Sequence, residues 1–205
     1  MTHRFWPLFA ALFVALTLAE PAFADVRIVL SVGNNVGRPG EELLRFAEDD
    51  ARRVHDLLVD IGNTDPSRAY LLTGQGVAQL RSTLAEIRGR ADEINQGGQD
   101  VTLFFYYAGH GDAEELHLGA SSISRDELIR TIEELPLSLR VIMLDACRGE
   151  TSRSRGVERG ESFSVYVDDE ASARGTIVIA SSNDGEAAQE SDLLRGAVFT
   201  HYLVS

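Results

Sequence analysis

The sequence contains little cysteine, little proline and few basic residues. Its 205 residues include one Cys, five Pro, and 19 Lys and Arg against 32 Asp and Glu. A single Cys excludes an internal disulfide framework and any cysteine-rich zinc or iron–sulfur site. The net charge of −13 argues against a nucleic-acid partner and against electrostatic docking to anionic lipid. The length predicts one domain, and the hydrophobic content of 44% is ordinary for a globular chain.

An apolar segment stands at the start of the chain. Arg4 precedes an apolar stretch at residues 5–19, and Ala22-Phe23-Ala24 fits a small-x-small cleavage site. This layout predicts a secretory signal peptide over residues 1–24, cleaved before Asp25, and an exported domain over residues 25–205 that is periplasmic or secreted. The alternative is an uncleaved anchor, but the apolar stretch is shorter than the roughly 20 residues that span a bilayer.

Apolar patterns typical of strands and of helices alternate along the rest of the chain. Short continuous apolar runs predict strands, and apolar residues at a spacing of three and four predict helices. The predicted strands are 26–32, 69–72, 101–108, 139–144 and 176–180, with a short hairpin arm at 116–118. The predicted helices are 41–61, 77–94, one that Ser124 opens with a capping box, and one from Leu193 onward. The alternation predicts an α/β fold, a mostly parallel sheet with helices on both faces.

Two of the predicted strands end in reactive residues. The strand at 101–108 runs into Gly109-His110-Gly111, and the strand at 139–144 runs into Asp145-Ala146-Cys147. If the strands are neighbours in a parallel sheet, His110 and Cys147 project from the same edge, where α/β proteins bind ligands. A free thiol is mostly protonated at neutral pH, so an adjacent imidazole is needed to activate it. Backbone N–H groups of Gly111 and Cys147 are candidates for an oxyanion hole.

These segments resemble the motifs of a known family. Residues 106–111 (YYAGHG) and 145–149 (DACRG) resemble the histidine and cysteine motifs of the caspase/metacaspase superfamily of cysteine peptidases, which includes related bacterial enzymes. Residues 48–51 and 199–202 are also similar to the family, so the resemblance covers nearly all of residues 26–205. It implies a caspase-like sheet, with His110 as general base, Cys147 as nucleophile, and Gly111 and Cys147 as the oxyanion hole.

The residue two positions before the cysteine bears on specificity. Caspases have Gln there, which helps to bind an acidic P1 side chain, whereas metacaspases have Asp, which binds Arg or Lys. This chain has Asp145, and a carboxylate in the pocket attracts a cation and repels an acidic side chain. The resemblance therefore implies cleavage after Arg or Lys, in a protein or peptide substrate. After Cys147 the chain reads Arg148-Gly149, which is closer to caspases.

A long polar loop follows the cysteine motif. Residues 148–174 have neither apolar periodicity nor apolar content, and they hold Arg153, Arg155, Arg159 and Arg174. In the family this segment is often cut during activation, so an enzyme specific for basic residues is expected to cut itself after Arg153, Arg155 or Arg159. The alternative is a merely solvated charged loop. No cofactor is required by the sequence, and the resemblance leaves a calcium requirement open, although Asp168-Asp169-Glu170 lacks the spacing of a recognised calcium loop.

Alternative interpretations of these residues stay open. Cys147 is inert if it is a buried core thiol, and the chain is then a non-catalytic caspase-like module that binds peptides or partner proteins. A different thiol hydrolase or transferase on the same scaffold is a third hypothesis. We expect the other histidines His55 and His117 to be structural or exposed. The acidic residues of the first helix are predicted on its solvent face: Glu48, Asp49, Asp50, Asp56 and Asp60. The sequence ends within a helical pattern, which suggests truncation at the C-terminus.

Overall fold

The computed structural model describes residues 25–146, 175–181, 190–191 and 193–205. The predicted signal peptide, Cys147 and the predicted loop at 148–174 lie outside the described residues. Within the described part of the chain, no helix is long and apolar enough to cross a membrane.

Strands and helices alternate along the chain as the apolar patterns predict. The strands are β1 (Val26–Asn34), β2 (Ala69–Thr73), β3 (Val101–Gly111), β4 (Glu115–Leu118), β5 (Ser121–Ser124), β6 (Leu139–Asp145), β7 (Thr176–Ala180), β8 (Glu190–Ser191) and β9 (Gly196–Ala197). The helices are α1 (Ala47–Asp60), α2 (Val77–Gln96), α3 (Arg125–Glu133) and α4 (Val198–Val204), with a 3-10 turn at Pro66–Arg68.

The main sheet is parallel. Strand β3 lies between β1 and β6, β2 pairs with the outer side of β1, and β7 pairs with the outer side of β6, all in parallel. Near its carboxyl end β3 changes partner: Ala108 is the last residue in register with β6, whereas His110 and Gly111 pair antiparallel with β4. The β4–β5 hairpin therefore extends the sheet beyond the point where β6 ends.

Two hydrophobic clusters lie on opposite faces of the sheet. Alternate residues of β3 point to each face: Phe105 packs with α2 and α3 in one cluster, and Tyr106 packs with α1 and Phe199 of α4 in the other. Each face of a strand that is buried on both sides needs its own helical cover. The predicted α/β class, with a mostly parallel sheet and helices on both faces, is confirmed.

The largest departure from the predicted elements is at the first helix. It begins at Ala47 rather than at residue 41. The polar groups before it are engaged elsewhere: the Leu44 N–H donates to the Asn35 carbonyl, and the Glu42 carbonyl accepts from the His110 ring. These tertiary hydrogen bonds outweigh the helical spacing of Leu43 and Leu44. The segment Asn35–Phe46 is called the L1 segment below.

Two other boundaries differ from the predictions. Strand β3 continues to Gly111, because pairing with β4 takes over where pairing with β6 stops. The last helix begins at Val198 rather than at Leu193, because residues 196–197 form a strand paired with residues 190–191. The predicted start at Ser124 is confirmed, and its hydroxyl accepts from the Glu127 N–H at 3.1 Å.

Candidate active site

The carboxyl ends of β1, β3 and β6 lie side by side. Asn34 is in register with Gly109, and Ala108 is in register with Asp145. His110 and Asp145 therefore lie at the same edge of the sheet, and the strands that carry the two motifs are neighbours. Cys147, which follows two residues after Asp145, lies outside the described residues, so its distance from His110 stays a prediction.

The residue before the cysteine packs on the glycine after the histidine. A Cβ placed on Gly111 would lie 3.2 Å from the Ala146 Cβ and 3.0 Å from the Glu115 carbonyl oxygen. Both contacts are tighter than ordinary packing, so only glycine fits here without displacement of β4 or of Ala146. The histidine motif and the cysteine motif are thus in direct contact through Gly111 and Ala146.

The L1 segment holds the His110 ring in one orientation. The ring Nε2 lies 2.8 Å from the Glu42 carbonyl oxygen. A carbonyl only accepts hydrogen bonds, so Nε2 carries the proton, and Nδ1 is the basic nitrogen of the neutral ring. Gly37 also lies close to the ring, since a Cβ at Gly37 would be 2.6 Å from the His110 Cδ2, the carbon next to Nε2. The ring is therefore fixed by backbone atoms, with Nδ1 as its proton acceptor.

Tyr107 shapes the turn that presents the histidine. Its hydroxyl lies 2.8 Å from the His110 carbonyl oxygen and 2.8 Å from the His117 carbonyl oxygen. A Cβ at Gly109 would lie 2.5 Å from the same hydroxyl. The two glycines around His110 are thus explained by close approach, of Tyr107 at Gly109 and of Ala146 at Gly111.

His117 is buried and links the L1 segment to the turn after β3. Its Nδ1 lies 2.8 Å from Glu41 Oε1, and its Nε2 lies 3.2 Å from Asp112 Oδ2. Arg38 pairs with Asp112 and with Glu115. Burial raises the pKa of Asp112, but the backbone N–H groups of Glu115 and Glu114 and the charge of His117 outweigh it and hold that pKa below its ordinary value.

Among the described residues, three side chains of this cluster are spaced closely enough to hold a metal ion. Donor atoms of Asp112, Glu115 and His117 lie within 4.8 Å of one another. Both carboxylates are paired with the Arg38 guanidinium, so a cationic side chain already offsets part of their charge. The arrangement accounts for these residues as an ion-pair network that docks the L1 segment.

Asp145 is buried at the end of β6. Its Oδ2 accepts a hydrogen bond of 2.8 Å from the Thr200 hydroxyl of α4. The Thr200 hydroxyl in turn lies 2.5 Å from the hydroxyl of Tyr106, which is fully buried. Burial raises the pKa of Asp145 from 3.8 to about 6, although the Thr200 hydroxyl opposes this rise. Burial, followed by the nearby Asp145 charge, also raises the pKa of Tyr106 well above its ordinary value.

Asp50 is a second buried carboxylate close to Asp145, and the prediction that it lies on the solvent face of the helix is wrong. It is 0% exposed, accepts from the Ala197 N–H at 2.7 Å and pairs with Arg53 at 3.1 Å. Its negative charge contributes to the raised pKa of Asp145. The predicted solvent exposure holds for Asp49 and Asp56, whose side chains are 62% and 63% exposed.

The spacing of apolar residues in the first helix indicates that Asp50 is buried. The buried residues of α1 are Ala47, Asp50, Ala51 and Val54, so Asp50 occupies the apolar stripe rather than the polar face. The contacts of Thr200 and Tyr106 had no such signal, because 94 positions separate the two residues in the sequence. The predicted cleavage sites Arg153, Arg155 and Arg159 lie outside the described residues, as does Arg174.

The comparisons with known proteins agree with this architecture. A model of the caspase domain family, Peptidase_C14, matches residues 26–205. The chain therefore belongs to the caspase domain family, a family of cysteine peptidases. Among solved structures it is similar to caspase-1 from Spodoptera frugiperda, with a TM-score of 0.62, 12% identity, and coverage of 89% of this chain and 68% of that one. At that identity the likeness shows the fold alone. A search of curated proteins found no match.

Proposed function

We propose that this protein is a cysteine endopeptidase that cleaves after Arg or Lys, with His110 and Cys147 as its catalytic dyad. The observation that carries the specificity is the buried carboxylate of Asp145, with a second one, Asp50, beside it. Asp145 stands two positions before the cysteine, and Asp50 of α1 is close enough to influence its ionisation. We propose that these two carboxylates form the acidic floor of the P1 pocket. Buried negative charge favours a cationic side chain and opposes an acidic one.

The orientation of His110 supports its role as the base. With its Nε2–H donated to the Glu42 carbonyl, the neutral ring keeps Nδ1 for the thiol proton. In the proposed reaction Nδ1 takes the proton of the Cys147 thiol, and the thiolate attacks the carbonyl carbon of the scissile peptide. The carbonyl π electrons move onto oxygen, and the resulting oxyanion accepts from the N–H groups of Gly111 and Cys147.

Collapse of this intermediate completes the proposed cycle. The imidazolium returns its proton to the leaving nitrogen, the C–N bond breaks, and a thioester joins the substrate to Cys147. His110 then accepts a proton from water, which attacks the thioester. The C–S bond breaks, the carboxylic product leaves, and the proton returns to the thiolate. The fixed ring performs both transfers without reorientation, which is the advantage of a hydrogen bond to backbone rather than to a mobile side chain.

The acidic floor sets a pH dependence for this proposal. A carboxyl whose pKa is about 6 in the free protein is neutral below pH 6 and charged above it. Because only the charged form attracts a cation, kcat/KM for a P1 Arg peptide falls as the pH drops through about 6. His110 must also be neutral to accept the thiol proton, so variants are needed to isolate the contribution of Asp145.

We also propose export and self-processing. Strand β1 begins at Val26, directly after the predicted cleavage site, so removal of residues 1–24 leaves every described element intact.

A calcium requirement also stays a prediction of the resemblance. Comparing turnover in the presence of a chelator with turnover in added calcium tests it.

The test is turnover of fluorogenic peptides that differ only at P1, with Arg, Lys, Asp or Asn. We expect cleavage of the Arg and Lys peptides, no cleavage of the Asp peptide, and loss of turnover in Cys147→Ala and in His110→Ala. Cleavage of the Asp peptide alone would refute the specificity. Absence of any turnover, together with a Cys147 thiol that titrates near the ordinary value of about 8.5, would favour the non-catalytic binding module.

A further inference from the structure

The acidic floor is connected to a buried chain of hydroxyl groups on two other elements. Thr200 on α4 donates to Asp145 Oδ2 at 2.8 Å, and the Tyr106 hydroxyl on β3 lies 2.5 Å from Thr200 Oγ1. Thr200 is 0% exposed and Tyr106 is 0% exposed, so water does not compete for these bonds. Neither residue is part of the dyad, and the proposed mechanism does not otherwise use them.

The donor and acceptor of each of these hydrogen bonds follow from the charge of Asp145. An ionised carboxylate only accepts, so the single proton of the Thr200 hydroxyl points to Asp145. Thr200 Oγ1 is then an acceptor, and the Tyr106 hydroxyl is its donor. Both hydroxyl protons therefore point toward the carboxylate, and such aligned bonds strengthen one another in a buried setting. A neutral carboxyl could instead donate its own proton to Thr200 Oγ1, so this direction belongs to the ionised form of Asp145.

We propose that Thr200 and Tyr106 are positioning residues that hold the Asp145 carboxylate ionised and oriented for a basic P1 side chain. We call the two hydrogen bonds from Tyr106 to Thr200 and from Thr200 to Asp145 the relay. Its consequence for catalysis rests on the proposed function, but the relay itself can be tested without turnover. The titratable and charged groups that face Asp145 in the described part of the chain are Asp50 of α1, with its partner Arg53, and Tyr106 of β3. Burial and the charge of Asp50 oppose ionisation of Asp145, and the Thr200 hydroxyl, together with Ser181, opposes both.

The test compares Thr200→Val, Thr200→Ser and Tyr106→Phe with a matched control. Thr176 is a buried threonine at the amino end of β7, the opposite edge of the sheet, and its hydroxyl has no partner among the described residues. Thr176→Val thus removes a buried threonine hydroxyl without removing a hydrogen bond to the floor. Thr200→Ser keeps the donor, and Tyr106→Phe removes only the second bond.

The first readout is the NMR titration of the Asp145 carboxyl, which needs no substrate. Because Thr200→Val removes a donor to the charged form, its titration midpoint is expected at least about one pH unit above wild type. A smaller rise is expected in Tyr106→Phe, and none in Thr200→Ser or Thr176→Val. Equal midpoints in wild type, Thr200→Val and Tyr106→Phe would overturn the relay, whatever the enzyme cleaves.

The second readout is kcat and KM for the P1 Arg peptide between pH 5 and pH 9. Thr200→Val is expected to lower kcat/KM roughly tenfold at pH 7, mainly through KM, and to move the acid limb to higher pH. Its rate of Cys147 alkylation by iodoacetamide is expected to match wild type, because the dyad is untouched. If Thr200→Val raises the titration midpoint of Asp145 but leaves KM unchanged, the link between the relay and P1 binding is overturned. If wild type has no turnover but Thr200→Val still raises the titration midpoint of Asp145, the proposed function is refuted and the relay is supported.

Discussion

At the scale of single residues, Asp145 reduces the stability of the folded protein at neutral pH. Its folded pKa of about 6 lies above the ordinary value of 3.8, so the folded state binds the proton more tightly than the unfolded state does. Stability from this group is therefore present below pH 3.8 and is lost as the pH rises through about 6. The difference corresponds to roughly 3 kcal/mol. A buried carboxylate that weakens the fold is typical of a functional group.

We therefore predict that Asp145→Asn has a pH-dependent effect on stability. Relative to wild type, its free energy of unfolding should rise by roughly 2.5 kcal/mol between pH 4 and pH 8, because Asn cannot ionise. Urea denaturation of both proteins at several pH values measures this difference. Asp49→Asn, which changes an exposed carboxylate of α1, is the control and should show little pH dependence. A difference between Asp145→Asn and wild type that does not change with pH would contradict the assigned pKa.

Asp50 shows what the sequence alone could and could not provide at this scale. Its position on the apolar stripe of α1 indicates burial, whereas a run of carboxylates on a surface helix usually indicates exposure to solvent. Its burial depends on the Ala197 N–H and on Arg53, and the first of these partners is 147 positions away. The residues of the two motifs were predictable because glycines and strand ends mark them locally.

At the scale of elements, the L1 segment positions the His110 ring with its backbone. The Glu42 carbonyl binds the ring, Gly37 packs on it, and Glu41 anchors the segment to buried His117. The helical spacing of residues 41–46 predicted a longer first helix, because local periodicity does not register hydrogen bonds made to a distant strand. The strands were predicted closely because continuous apolar runs have no other stable location than a sheet buried on both faces.

Gly37→Ala is predicted to reduce turnover far more than it reduces stability. A methyl group at this position would meet the Glu41 carboxylate first and would lie 2.6 Å from the His110 Cδ2, so Glu41 and either the ring or the segment must move. A displacement near 1 Å at a catalytic group costs up to about 100-fold in rate. The measurements are kcat for the P1 Arg peptide and the thermal midpoint.

Gly89→Ala is the matched control for that substitution. Gly89 lies inside α2, and a Cβ there meets nothing within 4 Å. This variant should keep wild-type kcat and gain about 0.5–1 kcal/mol in stability, since Ala is the better helix former. Wild-type kcat in Gly37→Ala would show that the contact with Gly37 does not fix the ring.

At the scale of the whole molecule, the sheet joins the two parts of the chain that a cut would separate. Strands β6 and β7 pair in parallel over five residue pairs, and the predicted cleavage sites lie between them in the sequence. Strand β7 also contributes Val178 to the larger hydrophobic cluster. Cleavage after Arg153, Arg155 or Arg159 would therefore leave two fragments held by backbone hydrogen bonds and by a shared core.

We predict that purified wild-type protein contains two fragments that elute together on gel filtration. Their new N-termini, read by mass spectrometry, should follow Arg153, Arg155 or Arg159, and Cys147→Ala should stay a single chain. A variant with all three arginines changed to Gln should also stay single but still cleave the P1 Arg peptide. Cuts at the same positions in Cys147→Ala would mean that another protease makes them, which would contradict self-processing.

The central claim is that Cys147 and His110 act together beside an acidic pocket, and a covalent label tests it most directly. We would treat the protein with two peptidyl fluoromethyl ketones that differ only in Arg or Asp at P1, and locate the adduct by mass spectrometry. The account predicts stoichiometric modification of Cys147 by the Arg reagent, slow or no modification by the Asp reagent, and loss of labelling in His110→Ala. Equal labelling by both reagents would contradict the acidic pocket, and an unmodified Cys147 with both would contradict the peptidase.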